Sequence, residues 1–466
     1  MRRIPGLVFP LLIFLAAAGC APQTLEQAPP EQAAPEVVTR QVTEDGVTVA
    51  ELSNGLTVIL KAKRTTPVVS VRAYVRAGGM YERRWLGCGL SHLLEHLVAK
   101  ESIHDSRSGG ARGPVEKRSR TLKIGGQSNA YTSRDHTCYY ISAAASKAME
   151  CIDLIADQMA RPEITPEDFR REHGVVHREL EMRNDDLARL MWYTHMANAF
   201  GSHPVAVPVI GYAEPLRQVT MDDVLCYHRR MYVPQDMVFV VVGDIDVEAA
   251  LRRVRERFAG FERGRTPGHL LPPVEPITGV RRVVRSHEQM KDVNEWISFR
   301  TIPLVHEDLY ALDVLSYVLT KGPSSRLVEK VRRQARLVTS VSSSSWTPAW
   351  GKGVFTISFR AQPDKADAAE EAILDELRRV VADGVTEAEL ARAKRQKQAD
   401  EVHSRQTVES IAETLGTDYL TTGDVNFSKD YTRRIQLVTA AQVQALSLIH
   451  ISEPTRPLYI SYAVFC

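Results

Sequence analysis

The sequence has almost no excess of charge: 59 Lys and Arg stand against 57 Asp and Glu in 466 residues, a formal net charge of +2. Neutralising a phosphate backbone takes a basic face, and this balance gives no argument for one, so no nucleic acid is expected among the partners. Cysteine is sparse as well. Of the six present, Cys88, Cys138, Cys151 and Cys226 show no C-x-x-C pairing and no metal-ligand spacing, which leaves no thiolate metal site to propose and makes buried thiols the default. The apolar run from Leu7 to Ala18 is too short to span a bilayer comfortably. What is there, 44% apolar and 25% charged residues, is an ordinary globular balance, and the length suggests two or three domains.

The short apolar run has a different use. Arg2 and Arg3 precede it and Ala17-Ala18-Gly19-Cys20 ends it, which resembles a bacterial lipoprotein signal peptide. The resemblance implies removal of residues 1–19, lipid on the sulfur and new amino terminus of Cys20, and a membrane as partner through that anchor. Residues 20–45 are then the lipidated cysteine and a flexible tether, rich in Pro, Gln, Glu and Ala to about Arg40. Ala21 is not the Asp that retains many such lipoproteins in the inner membrane, so the expected location is the bacterial envelope, anchored in the outer membrane and facing the periplasm.

Ser91-His92-Leu93-Leu94-Glu95-His96 is the stretch the rest serves. Leu90, Leu93, Leu94 and Leu97 recur at helical spacing without proline, and the pattern predicts an amphipathic helix. At about 100° per residue His96 lies some 40° around the axis from His92, with Glu95 about 60° to the other side, so the three share one broad face. Two imidazoles one turn apart can hold a zinc ion, and a carboxylate beside them can take a proton from a water that the ion activates. The order His-x-x-Glu-His is the inverzincin motif. It arises by chance in roughly three of a hundred such chains, so it needs support.

Support has to come from a third ligand, since catalytic zinc usually has three from the protein. A helix opening at Pro166, with Thr165 as N-cap and Asp168 completing a capping box, offers Glu172, His173, His177, Glu179 and Glu181. Chemistry alone does not choose among them. Around these helices, Val47–Leu52 and Leu56–Leu60 flank an Asn54-Gly55 turn, Val68–Val75 is strand-like, and Gly125–Thr132 leads through Asp135 into Thr137–Ile141 as a hairpin. An edge strand in that hairpin can pair with an extended peptide through its backbone. Lys100–Lys123 reads as an exposed polar loop, helical in part at its end, and a helix is expected over Ser146–Met159. Pro267, Pro272, Pro273 and Pro276 mark a linker at 264–279 between a repeat at 46–263 and a second at 280–445. In the second repeat strands are expected at Val283-Val284, Trp296–Phe299 and Val354–Phe359, and helices at Glu307–Leu319, from Gly322–Leu327 onward, and at Ala366–Val381.

Gly89-Leu90-Ser91-His92-Leu93-Leu94-Glu95-His96, then Gly125–Thr132, then Glu172-x-x-Val175-Val176-x-x-Glu179, together resemble the pitrilysin/insulinase family of zinc peptidases. The similarity continues through His203-Pro204, Gly211, Tyr232-Val233-Pro234 and Val240–Asp244, and covers residues from about 46 to 445. It implies that His92, His96 and Glu179 bind one Zn²⁺ per chain, that Glu95 is the general base, that Glu172 supports the site from behind, and that Asn129 and Ala130 receive the substrate backbone. It implies an α+β fold of two homologous repeats, each a mixed, mostly antiparallel sheet packed with helices. The implied activity is that of a zinc metalloendopeptidase cleaving extended peptides or small unfolded proteins by metal-activated water. A catalytically silent scaffold or partner subunit of the same fold is the rival reading. Half-length relatives often close their chamber with a second chain, so a second chain, or a missing C-terminal half, is an expected partner beside the peptide substrate. The second repeat has no His-x-x-Glu-His, and Leu337-Val338-Thr339-Ser340 stands where relatives often have a substrate-contacting tyrosine.

The last stretch, 446–466, looks like translated sequencing-library adapter, from Leu446-Ser447-Leu448-Ile449-His450 to Ala463-Val464-Phe465-Cys466. Natural sequence is therefore expected to stop near Ala445, with the second repeat truncated before its final strand or before a further pair of repeats.

Overall fold

The computed structural model describes residues 34–99, 102–103, 115–277, 279–450 and 460–465. Cys20, the signal peptide and most of the 100–123 loop lie outside them. The first repeat runs β1 (Val38–Glu44), β2 (Val47–Leu52), β3 (Thr57–Ala62), β4 (Val68–Val75), α1 (Leu90–Ala99), the short pair β5 (Ser102–Ile103) and β6 (Val115–Glu116), α2 (Lys117–Lys123), β7 (Gln127–Thr132) and β8 (Thr137–Ala144). It continues with α3 (Ala148–Ala160), α4 (Pro166–Asn184), α5 (Leu187–Phe200), α6 (Ala213–Arg217), α7 (Met221–Met231), β9 (Met237–Gly243) and α8 (Val247–Arg257). Residues 262–277 then carry no helix or strand. The second repeat follows with β10 (Arg281–Arg285), β11 (Val293–Arg300), α9 (Leu309–Thr320), a π-helical stretch at Val328–Gln334, β12 (Ser340–Trp346) and β13 (Val354–Ala361). Its remainder is α10 (Ala366–Asp383), α11 (Glu387–His403), α12 (Val408–Thr422), α13 (Phe427–Leu437), α14 (Ala440–His450) and β14 (Ile460–Phe465).

The first sheet has the order β1-β2-β3-β9-β4-β8-β7 and the second β10-β14-β11-β13-β12. Only β3–β9 and β10–β14 are parallel pairs; every other neighbour is antiparallel. The two sheets repeat one plan, with β10, β14, β11, β13 and β12 in the places of β3, β9, β4, β8 and β7. Residues 460–465 of the terminal stretch thus fill, as β14, the slot that β9 fills in the first repeat.

The inner face of each sheet is covered by helices of its own repeat, and the outer face, except at β12 and β13 where Ser340, Ser342, Ser344 and Arg360 stay exposed, by a helix of the other repeat. Phe239 and Val241 of β9 face the first repeat's own helices, where Leu90, Leu93, Leu94 and Leu97 of α1 join them in one core. Val238, Val240 and Val242, on the opposite face, pack with Val408, Ala412 and Leu415 of α12 from the second repeat. In return α5 lies across β10 and β14, with Trp192 packed edge-on to Trp296 at 5.7 Å and the Arg300 guanidinium donating to the Ala199 carbonyl. The second repeat's own helices, α9, α10, α11, α13 and α14, enclose its separate inner core. Among the described residues no helix is long and apolar enough to cross a membrane.

One expectation needs correction. The sequence puts the flexible tether through residue 45, yet Val38–Glu44 is a strand whose register on β2 runs from Val38↔Leu52 to Glu44↔Val47. Its side chains are almost all exposed. Backbone pairing holds it, with hydroxyl contacts from Thr39 to the Glu51 carbonyl and between Thr43 and Thr48, so it has no apolar alternation by which a sequence reading could find it.

Candidate metal centre

Two glycines set the entry to α1. Gly87 and Gly89 have φ of 89° and 66°, and a Cβ on Gly89 would lie 2.1 Å from the Ile210 carbonyl oxygen, so the turn packs backbone to backbone where no side chain fits. Tyr212 N–H donates to the Gly87 carbonyl at 2.8 Å and ties the two loops. The start of the helix is held by Glu82, a fully buried carboxyl group whose Oε1 accepts the Ser91 N–H at 2.7 Å. Ser91 Oγ in turn meets the Tyr227 hydroxyl at 2.7 Å. Burial pushes the Glu82 carboxyl up to about 8, despite the backbone N–H groups of Ser91, Gly89 and Leu90 that bind it.

On the far side, α4 begins with the capping box read from sequence: Thr165 Oγ1 accepts the Asp168 N–H at 3.1 Å, and Asp168 Oδ2 accepts the Thr165 N–H at 3.3 Å. Seven residues of helix separate Glu172 from Glu179, so both point from one face toward α1. There His92 Nε2 lies 3.7 Å and His96 Nε2 3.5 Å from the same Glu179 oxygen, Oε2. The imidazole rings stand edge to face with centroids 4.8 Å apart.

This donor set fits zinc. One atom from each of His92, His96 and Glu179 can be chosen so that all lie within 4.8 Å of one another. A tetrahedral ion with bonds of about 2.0–2.2 Å needs ligand atoms roughly 3.4 Å apart, and the two measured His–Glu separations are close to that edge. Two imidazoles and a carboxylate, with a fourth position left over, is also the donor chemistry of catalytic zinc.

The surroundings orient two of the three candidate ligands, His96 and Glu179. Glu172, 2% exposed, takes His96 Nδ1 on Oε2 at 3.3 Å, and as a carboxylate it can only accept. His96 is thereby held with Nε2 toward Glu179. Arg171 Nε donates to the other Glu172 oxygen at 3.2 Å, and its Nη2 reaches Asp168 Oδ1 at 2.7 Å, so the helix cap and the metal centre belong to one chain of contacts. Arg183, one turn after Glu179, donates to Glu179 Oε1 and leaves Oε2 facing the imidazoles. The hydrogen bond from His96, with the charges of His92 and Arg183, outweighs burial and holds the Glu179 carboxyl down at about 2. Glu95 is 8% exposed; burial raises its pKa, and the Thr132 hydroxyl donates to its Oε2 at 2.8 Å.

The other candidates on α4 go elsewhere. His173 Nε2 meets the Leu216 carbonyl at 3.0 Å, the His177 ring packs on that of His173 with centroids 4.9 Å apart, and Glu181 is exposed. Asn129 and Ala130 lie on β7, the edge strand, packed beside α1. The Ala130 N–H is taken at 2.9 Å by the Asn129 side chain. Thr132, which closes β7, brings that edge to Glu95. Glu82, Arg171 and Arg183 carry no motif by which sequence reasoning could find them, and nothing in the Gly125–Thr132 pattern shows that Thr132 meets Glu95. Cys138 and Cys151 are buried thiols, and burial pushes both up to about 12.

The family and the fold follow from comparison with known proteins. Residues 57–212 match the family described as Insulinase (Peptidase family M16), and residues 218–397 match the Peptidase M16 inactive domain. An uncharacterized zinc protease of Mycobacterium tuberculosis is 30% identical over 397 residues, 85% of this chain and 89% of that protein. In fold, the chain is similar to a protease from Helicobacter pylori, with a TM-score of 0.78 at 23% identity over 90% of this chain and 98% of the other. It is also similar to the periplasmic protease PqqL of Escherichia coli, with a TM-score of 0.73 at 16% identity, all of this chain matching 49% of that one. With both family domains matched in order across the two repeats, and a relative 30% identical over most of both chains, this chain belongs to the insulinase family, peptidase family M16.

Proposed function

We propose that the chain is a zinc-dependent endopeptidase acting on extended peptides or small unfolded proteins. The observation that carries this is the meeting of His92, His96 and Glu179 at one point with Glu95 alongside. Zinc held by those three residues would supply a Lewis acid that activates water and polarises the scissile carbonyl. Glu95 is the residue to take the proton of the attacking water: it is shielded from solvent, its pKa is raised toward the working range of a general base, and Thr132 fixes its orientation. The same carboxyl can then return the proton to the leaving amine.

Substrate is expected to add as a further strand on β7, where Asn129 would give up its hold on the Ala130 N–H to a peptide carbonyl. The second repeat supplies the outer cover of the first sheet and, among the described residues, no metal ligand. Lipid on Cys20 would place the enzyme on the outer membrane, facing the periplasm. A second chain, or further repeats, would close the chamber, a reading supported by the match of this chain to about half of PqqL.

The test compares wild type with Glu95→Gln for peptide cleavage and zinc content. Loss of cleavage by a factor of about 10² to 10⁴, with one zinc per chain in both, is expected. Cleavage unaffected by Glu95→Gln would refute the assignment of the base. Zinc bound by both with cleavage by neither would favour a silent scaffold or partner subunit.

A further inference from the structure

The helices of the second repeat can be laid on those of the first in a single register. Helix α9 follows β11 and precedes the edge strand β12, as α1 follows β4 and precedes β7. Leu93, Leu94, Leu97 and Val98 of α1 are buried, and Val314, Leu315, Val318 and Leu319 of α9 are buried in the same order. Thr165 caps α4 through a capping box, and Thr386 caps α11 through another. All these pairs share one interval of 221 residues, as 93 is to 314 and 165 is to 386.

On that register His92, Glu95 and His96 fall on Asp313, Ser316 and Tyr317, and Glu179 falls on Asp400. These residues are not scattered. The Tyr317 hydroxyl donates to Asp400 Oδ2 at 2.7 Å, joining α9 to α11 at the positions where His96 meets Glu179 in the first repeat. Lys321 Nζ lies 2.6 Å from the same Asp400 oxygen, and Lys397 Nζ stands 5.2 Å from the centres of both the Tyr317 and Tyr431 rings. The Tyr431 hydroxyl donates to Asp313 Oδ2. No imidazole remains at any of the four positions, and the positive charge an ion would bring is brought by lysine ammonium groups.

We propose that the second repeat keeps the remnant of a metal centre, in which the Tyr317–Asp400 contact, neutralised by Lys321, cross-links α9 to α11 as an ion would cross-link α1 to α4. The repeat's helix pair is then assembled without metal. The comparison with α1 and α4 rests on the zinc reading of the first centre; the lock between α9 and α11 does not.

Amide hydrogen exchange on the full chain tests this. In Tyr317→Phe, exchange across α9 and α11 is expected to rise about tenfold, the loss of one charge-assisted hydrogen bond, with exchange across α1 and α4 and the zinc content unchanged. Chelation of wild type is expected to do the reverse. Unchanged exchange in α9 and α11 of Tyr317→Phe, or their loosening by the chelator as much as α1 and α4, overturns the proposal. A lock that responds to Tyr317→Phe while chelation moves nothing upholds it and counts against the zinc reading instead. The shared geometry has its own check: D313H/S316E/Y317H/D400E, if folded, is expected to bind one zinc per chain more than wild type, and a folded form that gains none overturns the remnant.

Discussion

Glu82 should make the stability of this protein depend on pH in a way one substitution removes. Its carboxyl is fully buried under the first turn of α1 and is pushed up to about 8 from an ordinary 4.5. Between those values the folded protein holds a proton there that the unfolded chain has released, so folding takes up a proton and stability falls as pH rises, by about 1.4 kcal/mol per pH unit. Below 4.5 both states are protonated and the effect is absent; above about 8 both are ionised and the loss is complete. Glu82→Gln cannot titrate. Its amide oxygen can still accept the Ser91 N–H, while its NH₂ group would face the N–H groups of Gly89 and Leu90 that the carboxyl accepts, at a cost of about 1 kcal/mol. At pH 5 wild type has already lost about 0.8 kcal/mol to the titration of Glu82, so the variant should be nearly as stable as wild type there and several kcal/mol more stable at pH 9. Every other titrating group is common to both proteins and cancels in the difference. Urea unfolding of the chelated proteins at pH 5, 7 and 9 measures it, with metal removed because metal affinity itself depends on pH. A difference that stays constant across the three pH values would refute the reasoning, since it would mean that Glu82 titrates alike in the folded and unfolded chains.

Thr132→Val removes the donor to Glu95 Oε2 with little change of shape; kcat is expected to fall about tenfold with KM and zinc content unchanged, and an unaltered kcat would show that Thr132 does not orient the base. Gly416→Ala would set a Cβ 2.2 Å from the buried Tyr74 ring, where α12 of the second repeat crosses β4 of the first. A destabilisation of about 1–3 kcal/mol in urea unfolding is expected, and a loss below about 0.5 kcal/mol would show that the contact can relax.

Much of the first repeat is legible in the sequence because its signals are local. The Asn54-Gly55 turn joins β2 to β3, Val68–Val75 is the full length of β4, and the Thr165–Asp168 box opens α4. The choice of Glu179 from five candidates on α4 is another matter. It depends on how α4 crosses α1, which no periodicity encodes; the family resemblance supplied it. Glu82 was invisible for a related reason: a glutamate outside any helix looks solvated until three N–H groups are found converging on it. In the second repeat, β12 escaped notice because Ser342, Ser343, Ser344 and Ser345 mask the alternation of a strand. The helices from α11 onward went unread, and with them the counterpart of the metal centre.

The run Val238-Phe239-Val240-Val241-Val242 is apolar on both faces, and the reason lies in the other repeat. Its outer face, with Ile59 and Tyr74, meets Val408, Ala412 and Leu415 of α12. At about 1.5–3 kcal/mol for each large apolar side chain taken from water, the five first-repeat residues on that face account for about 10 kcal/mol, as much as the whole stability of a typical domain. The second repeat depends on α5 in the same way, through the packing of Trp192 on Trp296 and of Phe200 on Trp346. Neither repeat therefore has a covered sheet of its own, and the irregular segment at 262–277 joins two halves that are not separable units of folding. The His92–His96 face of α1 draws its rigidity from both: its backbone is fixed by Glu82 and Gly89 within the first repeat, while the sheet beneath it is held in place by a helix from the second. Among the described residues the second repeat holds no candidate metal site, yet it completes the layer on which the candidate site of the first repeat rests.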